Sequence, residues 1–253
     1  MTKPLLVAFD FDHTVVNGNT DTVIRNLLKD EEALTNLEKT YHNECWTVYM
    51  RQIFECLHKS GVTKKDIENA ISTIQPVDGF PSLMEKLHSQ NVEIIIISDS
   101  NTFFIKHWLE HQKLNQTVKE VFSNPASFDD TGLLMIDMYH MQDWCKLSEI
   151  NMCKGHILED YIKRRSEEGI EFQKIAYVGD GRNDLCPILR LSAEDLAFTR
   201  NNYSLAKILK EIEGNVDRTP KAEIIEWKDG TEIWEGLVRR MPNLDCKNNL
   251  KSS

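Results

Sequence analysis

Three short apolar runs, each broken off by a polar residue, constrain this chain more than anything else in it. Leu5-Leu6-Val7-Ala8-Phe9 stops at Asp10, Val92-Glu93-Ile94-Ile95-Ile96-Ile97 stops at Ser98, and Ile175-Ala176-Tyr177-Val178 stops at Gly179-Asp180. Apolar runs of this length without strict alternation suit strands buried on both faces, and the second, rich in β-branched residues, is the strongest strand signal. Helical patterns lie between them at 83–89, 101–113 and 153–167. A short strand at 118–122, a hairpin around Asp129-Asp130-Thr131-Gly132, and weaker strands at 196–198 and 224–227 with a helix between them complete the pattern. Such alternation predicts an α/β fold: a doubly wound, mostly parallel sheet with helices on both faces. Ligands gather at the carboxyl ends of the strands in such sheets.

Residues 20–75 read differently, being polar and charged with helically spaced apolar residues such as Val48, Ile53, Leu57, Ile67, Ile71 and Ile74. Pro76, Gly79 and Pro81 punctuate the end of this stretch. The expected organisation is an α/β core over 1–16 and 77–241, a small helical cap over 17–76, and a loose tail over 242–253.

A chain of 253 residues is long enough for both units. Its formal net charge of -10 argues against nucleic acid as a partner, because phosphate backbones need a basic face. A single small phosphate is compatible, since a metal ion can supply local positive charge. Asp10 interrupts the first apolar run at once, and no segment approaches the ~18 apolar residues of a membrane span. The expectation is an intracellular, cytoplasmic protein with no membrane partner. The six cysteines (Cys45, Cys56, Cys145, Cys153, Cys186 and Cys246) include no CxxC pair and are expected as free, packed thiols. Cys145 and Cys153, with His140 nearby, suggest a metal clip, but their spacing matches no zinc pattern and no complete ligand set is visible.

Chemistry-bearing residues stand where the strands end. Asp10 and Asp12, two apart in extended chain, can face one ligand together, although Asp residues there also serve as turn formers. Ser98-Asp99-Ser100-Asn101 can bind a ligand or cap the next helix. In Gly179-Asp180-Gly181-Arg182-Asn183-Asp184, glycines permit a tight turn and two carboxylates lie four apart, as a plain surface loop also could. Lys154 opens the helix before that strand, where a solvated lysine is the ordinary occupant.

Taken jointly and in this order, DxDxT, a strand ending in Ser, a lysine, and a strand ending in GDGxND resemble the haloacid dehalogenase superfamily of phosphatases. The resemblance covers nearly the whole chain and matches residues 17–76 to that family's small helical cap. Within it, several segments are similar to the phosphoethanolamine/phosphocholine phosphatase and pyridoxal phosphate phosphatase group. They are Phe9 to Thr14, Asn19-Thr20-Asp21-Thr22, Ile97 to Asn101, Asn124-Pro125-Ala126, Asn151-Met152-Cys153-Lys154, and Gly179 through Cys186-Pro187. Ser148 and Glu149 depart from a denser cysteine cluster in those relatives, so a structural zinc is not expected.

The resemblance implies a magnesium-dependent phosphoric monoester hydrolase in which Asp10 is the nucleophile and forms an aspartyl-phosphate. Asp12 would be the general acid/base, and Ser98 and Lys154 would bind the phosphoryl group and position Asp10. Mg²⁺ would be held by Asp10, Asp180 and the backbone carbonyl of Asp12, with Asp184 holding a ligand water. Asp21 and Asp99 would contact the substrate, a small phosphate monoester. Two extra carboxylates suit a cationic leaving group such as ethanolamine or choline, and Trp46 and Tyr49 could present rings to an ammonium. Pyridoxal 5′-phosphate is the rival substrate. A phosphotransferase, or a non-catalytic binding protein of the same fold, is the rival function.

Overall fold

The computed structural model describes residues 2–41, 45–212, 214 and 219–244. Strand β1 (Thr2–Lys3) leads into β2 (Leu6–Phe9). Four helices follow: α1 (Thr20–Arg25), α2 (Glu31–Tyr41), α3 (Trp46–Lys59) and α4 (Lys64–Ser72). Then come α5 (Phe80–Ser89), β3 (Glu93–Asn101), α6 (Thr102–His111) and β4 (Glu120–Asn124), and a hairpin of β5 (Ala126–Phe128) and β6 (Leu134–Ile136). The chain continues through α7 (Lys154–Glu167), β7 (Glu171–Phe172), β8 (Ile175–Gly179), α8 (Leu185–Arg190) and β9 (Leu196–Arg200). It ends in α9 (Ser204–Glu211), β10 (Glu223–Trp227) and α10 (Gly230–Arg240).

Six parallel strands form the central sheet in the order β10-β9-β8-β2-β3-β4. Strand β2 sits where the order reverses, with β3 on one side and β8 on the other, so its carboxyl end opens on the crevice that such a reversal creates. The apolar runs need no alternation because both faces are covered. Leu6, Ala8, Ile95, Ile97 and Tyr177 pack beneath α7, α8 and α9. Val7, Phe9, Ile94, Ile96 and Val178 face α5, α6 and α10, and this second cluster runs on into Ile53, Phe54, Leu57, Ile67 and Ile71 of α3 and α4.

Three features differ from the expectation. Helix α10 is absent from it, because two glycines obscure the periodicity of 230–240; the Asp229 carboxylate caps it by accepting from Thr231 N (2.8 Å) and Glu232 N (3.0 Å). The β1–β7 pair is only two residues long on each side, too short for a pattern. The tail is not loose from 242, since Pro242–Leu244 forms a 3₁₀ turn that buries Leu244. Residues 245–253, including Cys246, lie outside the described residues.

Glu93 is a buried acid opening the most apolar strand. Arg165 grips it with Nε to Oε1 and Nη2 to Oε2, both at 2.7 Å, and the Tyr161 hydroxyl donates at 2.6 Å. Lys3 Nζ is also 3.2 Å from Glu93 Oε2, and removing this acid would leave the buried Arg165 with only the half-exposed Glu168 as a charge partner. Glu93→Ala should therefore destabilise the protein by about 3–5 kcal/mol, read as a fall in the denaturation midpoint. A change under about 1 kcal/mol would show that Arg165 finds solvent instead.

Candidate active site

The parallel register carries four segments to one edge of the sheet. Phe9 pairs with Ile96 on one side and Val178 on the other, and Asp10 N–H continues the ladder to Val178 O at 2.9 Å. Asp10 therefore emerges beside the ends of β3 and β8, bringing the Ser98 and Asp180 segments next to it. Phe11 turns the other way, fully buried with its ring 5.5 Å from Trp108, which leaves Asp10 and Asp12 on the same side.

Lys154, at the first turn of α7 and 1 % exposed, joins two of the acids. Its Nζ lies 2.9 Å from Asp10 Oδ1 and 2.8 Å from Asp184 Oδ1. Burial alone would lower this lysine, but Asp10 and Asp184 outweigh it and hold the ammonium above its ordinary range. Phe11 N–H also donates to Asp10 Oδ1, at 2.7 Å, so the carboxylate is anchored through one oxygen. Carboxylate oxygens of Asp10, Asp180 and Asp184 all lie within 4.8 Å of one another. Burial and the Asp184 charge push Asp10 well up, and the same two causes raise Asp180 to about 7. One lysine does not neutralise three crowded acids, and the donor set is all oxygen. The residues thus fit a hard divalent cation.

Asp184 is the most heavily bonded of the three. Oδ1 accepts from Lys154 and from the Tyr177 hydroxyl (2.7 Å), while Oδ2 accepts from Asp180 N (3.0 Å) and Gly181 N (2.8 Å). Its oxygens organise the turn and the lysine. Gly179 is required for this, because a Cβ there would stand 2.4 Å from Asp184 Oδ2.

Asp12 is held by the first turn of α1: Thr20 N donates to Oδ1 and the Thr20 hydroxyl to Oδ2, both at 3.0 Å. The Thr20 hydroxyl in turn lies 2.7 Å from Ser100 Oγ, whose proton it accepts in this arrangement. Burial raises Asp12 well above an ordinary carboxyl, Asp21 and Asp99 add to it, and the Thr20 bonds oppose it.

Ser98 is fully buried, with Ser100 N–H 3.3 Å from its hydroxyl oxygen. Asn124 holds this end of β3 down, donating to the carbonyls of Asp99 (2.7 Å) and Ser100 (2.9 Å), and Asn151 donates to Asn124 Oδ1 at 3.2 Å. Asp99 is half-buried and accepts from Asn183 Nδ2 at 2.8 Å. Asn19 caps α1, accepting from Thr22 N at 2.8 Å. Asp21 is buried, takes Trp46 Nε1–H on Oδ2 at 2.6 Å, and has no hydrogen-bond partner on Oδ1 among the described residues. Tyr49 is not available as a ring for a ligand: it is 2 % exposed, packed 5.1 Å from both Tyr41 and Trp46, with its hydroxyl accepting from Arg25 at 2.8 Å.

Several supports of the site carry no mark in the sequence. Tyr177 looks like plain strand core, and Arg200, whose guanidinium donates to His13 O and to Asn17 Oδ1, stands in a weak strand. Thr14, which donates to Asp180 Oδ1 at 3.2 Å, and Asn183 lie inside the recognised motifs, which is the signal that could have found them.

A family described as "Putative Phosphatase" matches residues 5–241. The chain belongs to that family. Among the relatives of this phosphatase, the probable phosphatase phospho2 of Xenopus tropicalis is 36% identical over 93% of this chain and 97% of its own length. The mouse pyridoxal phosphate phosphatase PHOSPHO2 is 32% identical over 90% of the chain and 95% of the relative. The human phosphoethanolamine/phosphocholine phosphatase is 30% identical over 90% and 86%. A phosphoserine phosphatase solved as a phospho-aspartyl intermediate analogue superposes with a TM-score of 0.61 at 24% identity, covering 92% of this chain and 99% of that one. The fold of the phosphatase is thus haloacid dehalogenase-like, and the protein is a phosphoric monoester hydrolase. Among the described residues, no helix is long and apolar enough to cross a membrane.

Proposed function

We propose that this phosphatase hydrolyses a small phosphate monoester with a cationic alcohol, of the phosphoethanolamine or phosphocholine type, through a phosphorylated Asp10. The observation that carries the reading is the Lys154 bridge between Asp10 and Asp184, set beside an Asp12 kept separate by Thr20. Two acids in different surroundings suit two tasks. Asp10 attacks phosphorus as the bond to the alkoxide breaks. Asp12, with its raised affinity for a proton, protonates the departing alkoxide, then accepts a proton from the water that hydrolyses the acyl phosphate. Inorganic phosphate leaves and Asp10 is restored. Ser98 and backbone N–H groups bind phosphoryl oxygens. Mg²⁺ bound by Asp10, Asp180 and the carbonyl of Asp12, with Asp184 holding one of its waters, would offset the charge of the phosphate. Residues 17–76 serve as a cap over the crevice, in a cytoplasmic enzyme.

Asp21 and Asp99 support the cationic alcohol. Burial raises Asp21 to about 7, with the Trp46 bond opposing and the Asp99 charge adding. It is neutral below that value and charged above it. The ratio of kcat/KM for phosphoethanolamine to that for glycerol phosphate should therefore rise as pH goes from about 6 to about 8. Asp21→Asn should remove the slope and lower the ratio by about tenfold. Equal loss on phosphoethanolamine, phosphocholine and pyridoxal 5′-phosphate would defeat charge recognition, and a kcat/KM highest for pyridoxal 5′-phosphate in the wild type would favour that rival. The test of the reaction class is phosphate release from this panel with and without chelator; undiminished release under chelation would exclude the metal.

A further inference from the structure

A second cluster stands beside the residues that flank Lys154 and Asp184 in the chain. Sulfurs of Cys145, Cys153 and Cys186 all lie within 4.8 Å of one another, with Cys145 Sγ at 3.4 Å and Cys153 Sγ at 3.7 Å from Cys186 Sγ. Cys153 and Cys186 are buried and Cys145 is half-buried. The sequence hides this set because its third member stands 33 residues beyond the second, in the Cys-Pro step after the GDGxND motif.

We propose that Cys145, Cys153 and Cys186 form a structural zinc site. The spacing decides the chemistry. Zinc bonded to sulfur at about 2.3 Å in a tetrahedron sets its sulfurs about 3.8 Å apart, close to the separations seen. A disulfide needs sulfurs at about 2.05 Å and would leave the third thiol alone in the core. Soft sulfur donors select zinc over the hard cation suited to the Asp cluster. Zinc binding converts the three thiols to thiolates and releases their three protons to solvent. Charge is balanced locally: the Arg190 guanidinium reaches Cys153 Sγ at 3.7 Å. Gly155 makes room, since a Cβ there would meet Arg190 Nε at 2.6 Å and Cys186 Sγ at 2.7 Å.

The site has a structural task. Residues 137–153 connect β6 to α7 with no regular element, a length at which loops usually need fastening. Met141 and Trp144 in this stretch are exposed and supply little core. Gln142 shapes the turn, accepting from Cys145 N (2.8 Å) and donating to Glu149 O (2.7 Å). Zinc would tie that turn to the residue before Lys154 and to the second residue after Asp184, fixing the backbone on both sides of the ion pair. The fourth ligand is an oxygen. Ser148, three residues after Cys145 and with its hydroxyl 3.3 Å from Cys145 Sγ, holds the place a second thiolate would take.

The full chain purified without chelator should carry about one equivalent of zinc by elemental analysis. Asp180→Asn should retain it, whereas Cys186→Ser should lose it. The reduced, metal-free wild type loaded with Co²⁺ should show a thiolate-to-cobalt charge-transfer band and the intense visible bands of a tetrahedral site, a readout independent of how the variants fold. Ser148→Cys should slow zinc loss to a chelator by about tenfold or more. Zinc absent from the wild type together with a charge-transfer-free cobalt spectrum would overturn the proposal. So would zinc that survives in Cys186→Ser but leaves in Asp180→Asn.

Discussion

Asp10→Asn should lower kcat by at least about 10⁴-fold and abolish trapping of phosphate on acid-quenched protein. An amide oxygen is a poor nucleophile, and no other carboxylate is placed to replace it: Asp184 is committed to four donors and Asp12 to Thr20. The loss should be chemical and not a failure to fold. Burial and the Asp184 charge already disfavour an ionised Asp10, so the amide relieves repulsion, while Lys154 keeps Asp184 as its partner. The melting temperature of metal-free Asp10→Asn at pH about 8 should accordingly be no lower than that of the wild type. Turnover near the wild-type rate would remove the nucleophile assignment.

Asp12→Asn separates the two steps. Loss of a positioned acid/base should cost about 10²–10⁴-fold on an alkyl phosphate, whose alkoxide needs a proton to leave. With p-nitrophenyl phosphate the leaving group needs no proton, so phosphorylation of Asp10 should persist. Hydrolysis lacks its base, and a burst of nitrophenol with accumulated phosphoprotein should appear. The amide can still accept from Thr20 N, so the first turn of α1 keeps its anchor. Equal loss on both esters without a burst would reduce Asp12 to a support for that turn.

The strands and the residues that end them were readable in the sequence for one physical reason. A strand covered on both faces is apolar along most of its length, so a polar residue ending the apolar run marks the approach to the sheet edge: Asp10 and Asp180 directly follow β2 and β8, and Ser98 opens the polar last part of β3. Side chains acting across the fold carry no such mark. Tyr177 is indistinguishable from its apolar neighbours until β8 and the turn after it bring its hydroxyl to Asp184. Cys186 is one of six scattered cysteines until α8 packs against the start of α7. The aromatic residues of α3 show the converse. Their composition suggested open rings, whereas packing spends Tyr49 on Tyr41, Trp46 and Arg25.

The four helices between β2 and α5 contribute to the same apolar cluster as one face of the sheet. Phe54 packs edge-on against Phe104 at 5.9 Å, and Trp108 donates its indole N–H to Ile74 O at 2.8 Å. Residues 17–76 therefore borrow their interior from the layer beneath. Excised, they would lose the partners of Ile53, Phe54 and Ile71, and the remaining protein would turn Phe11, Phe104 and Trp108 out to water. Insertion and sheet share a single fate on unfolding.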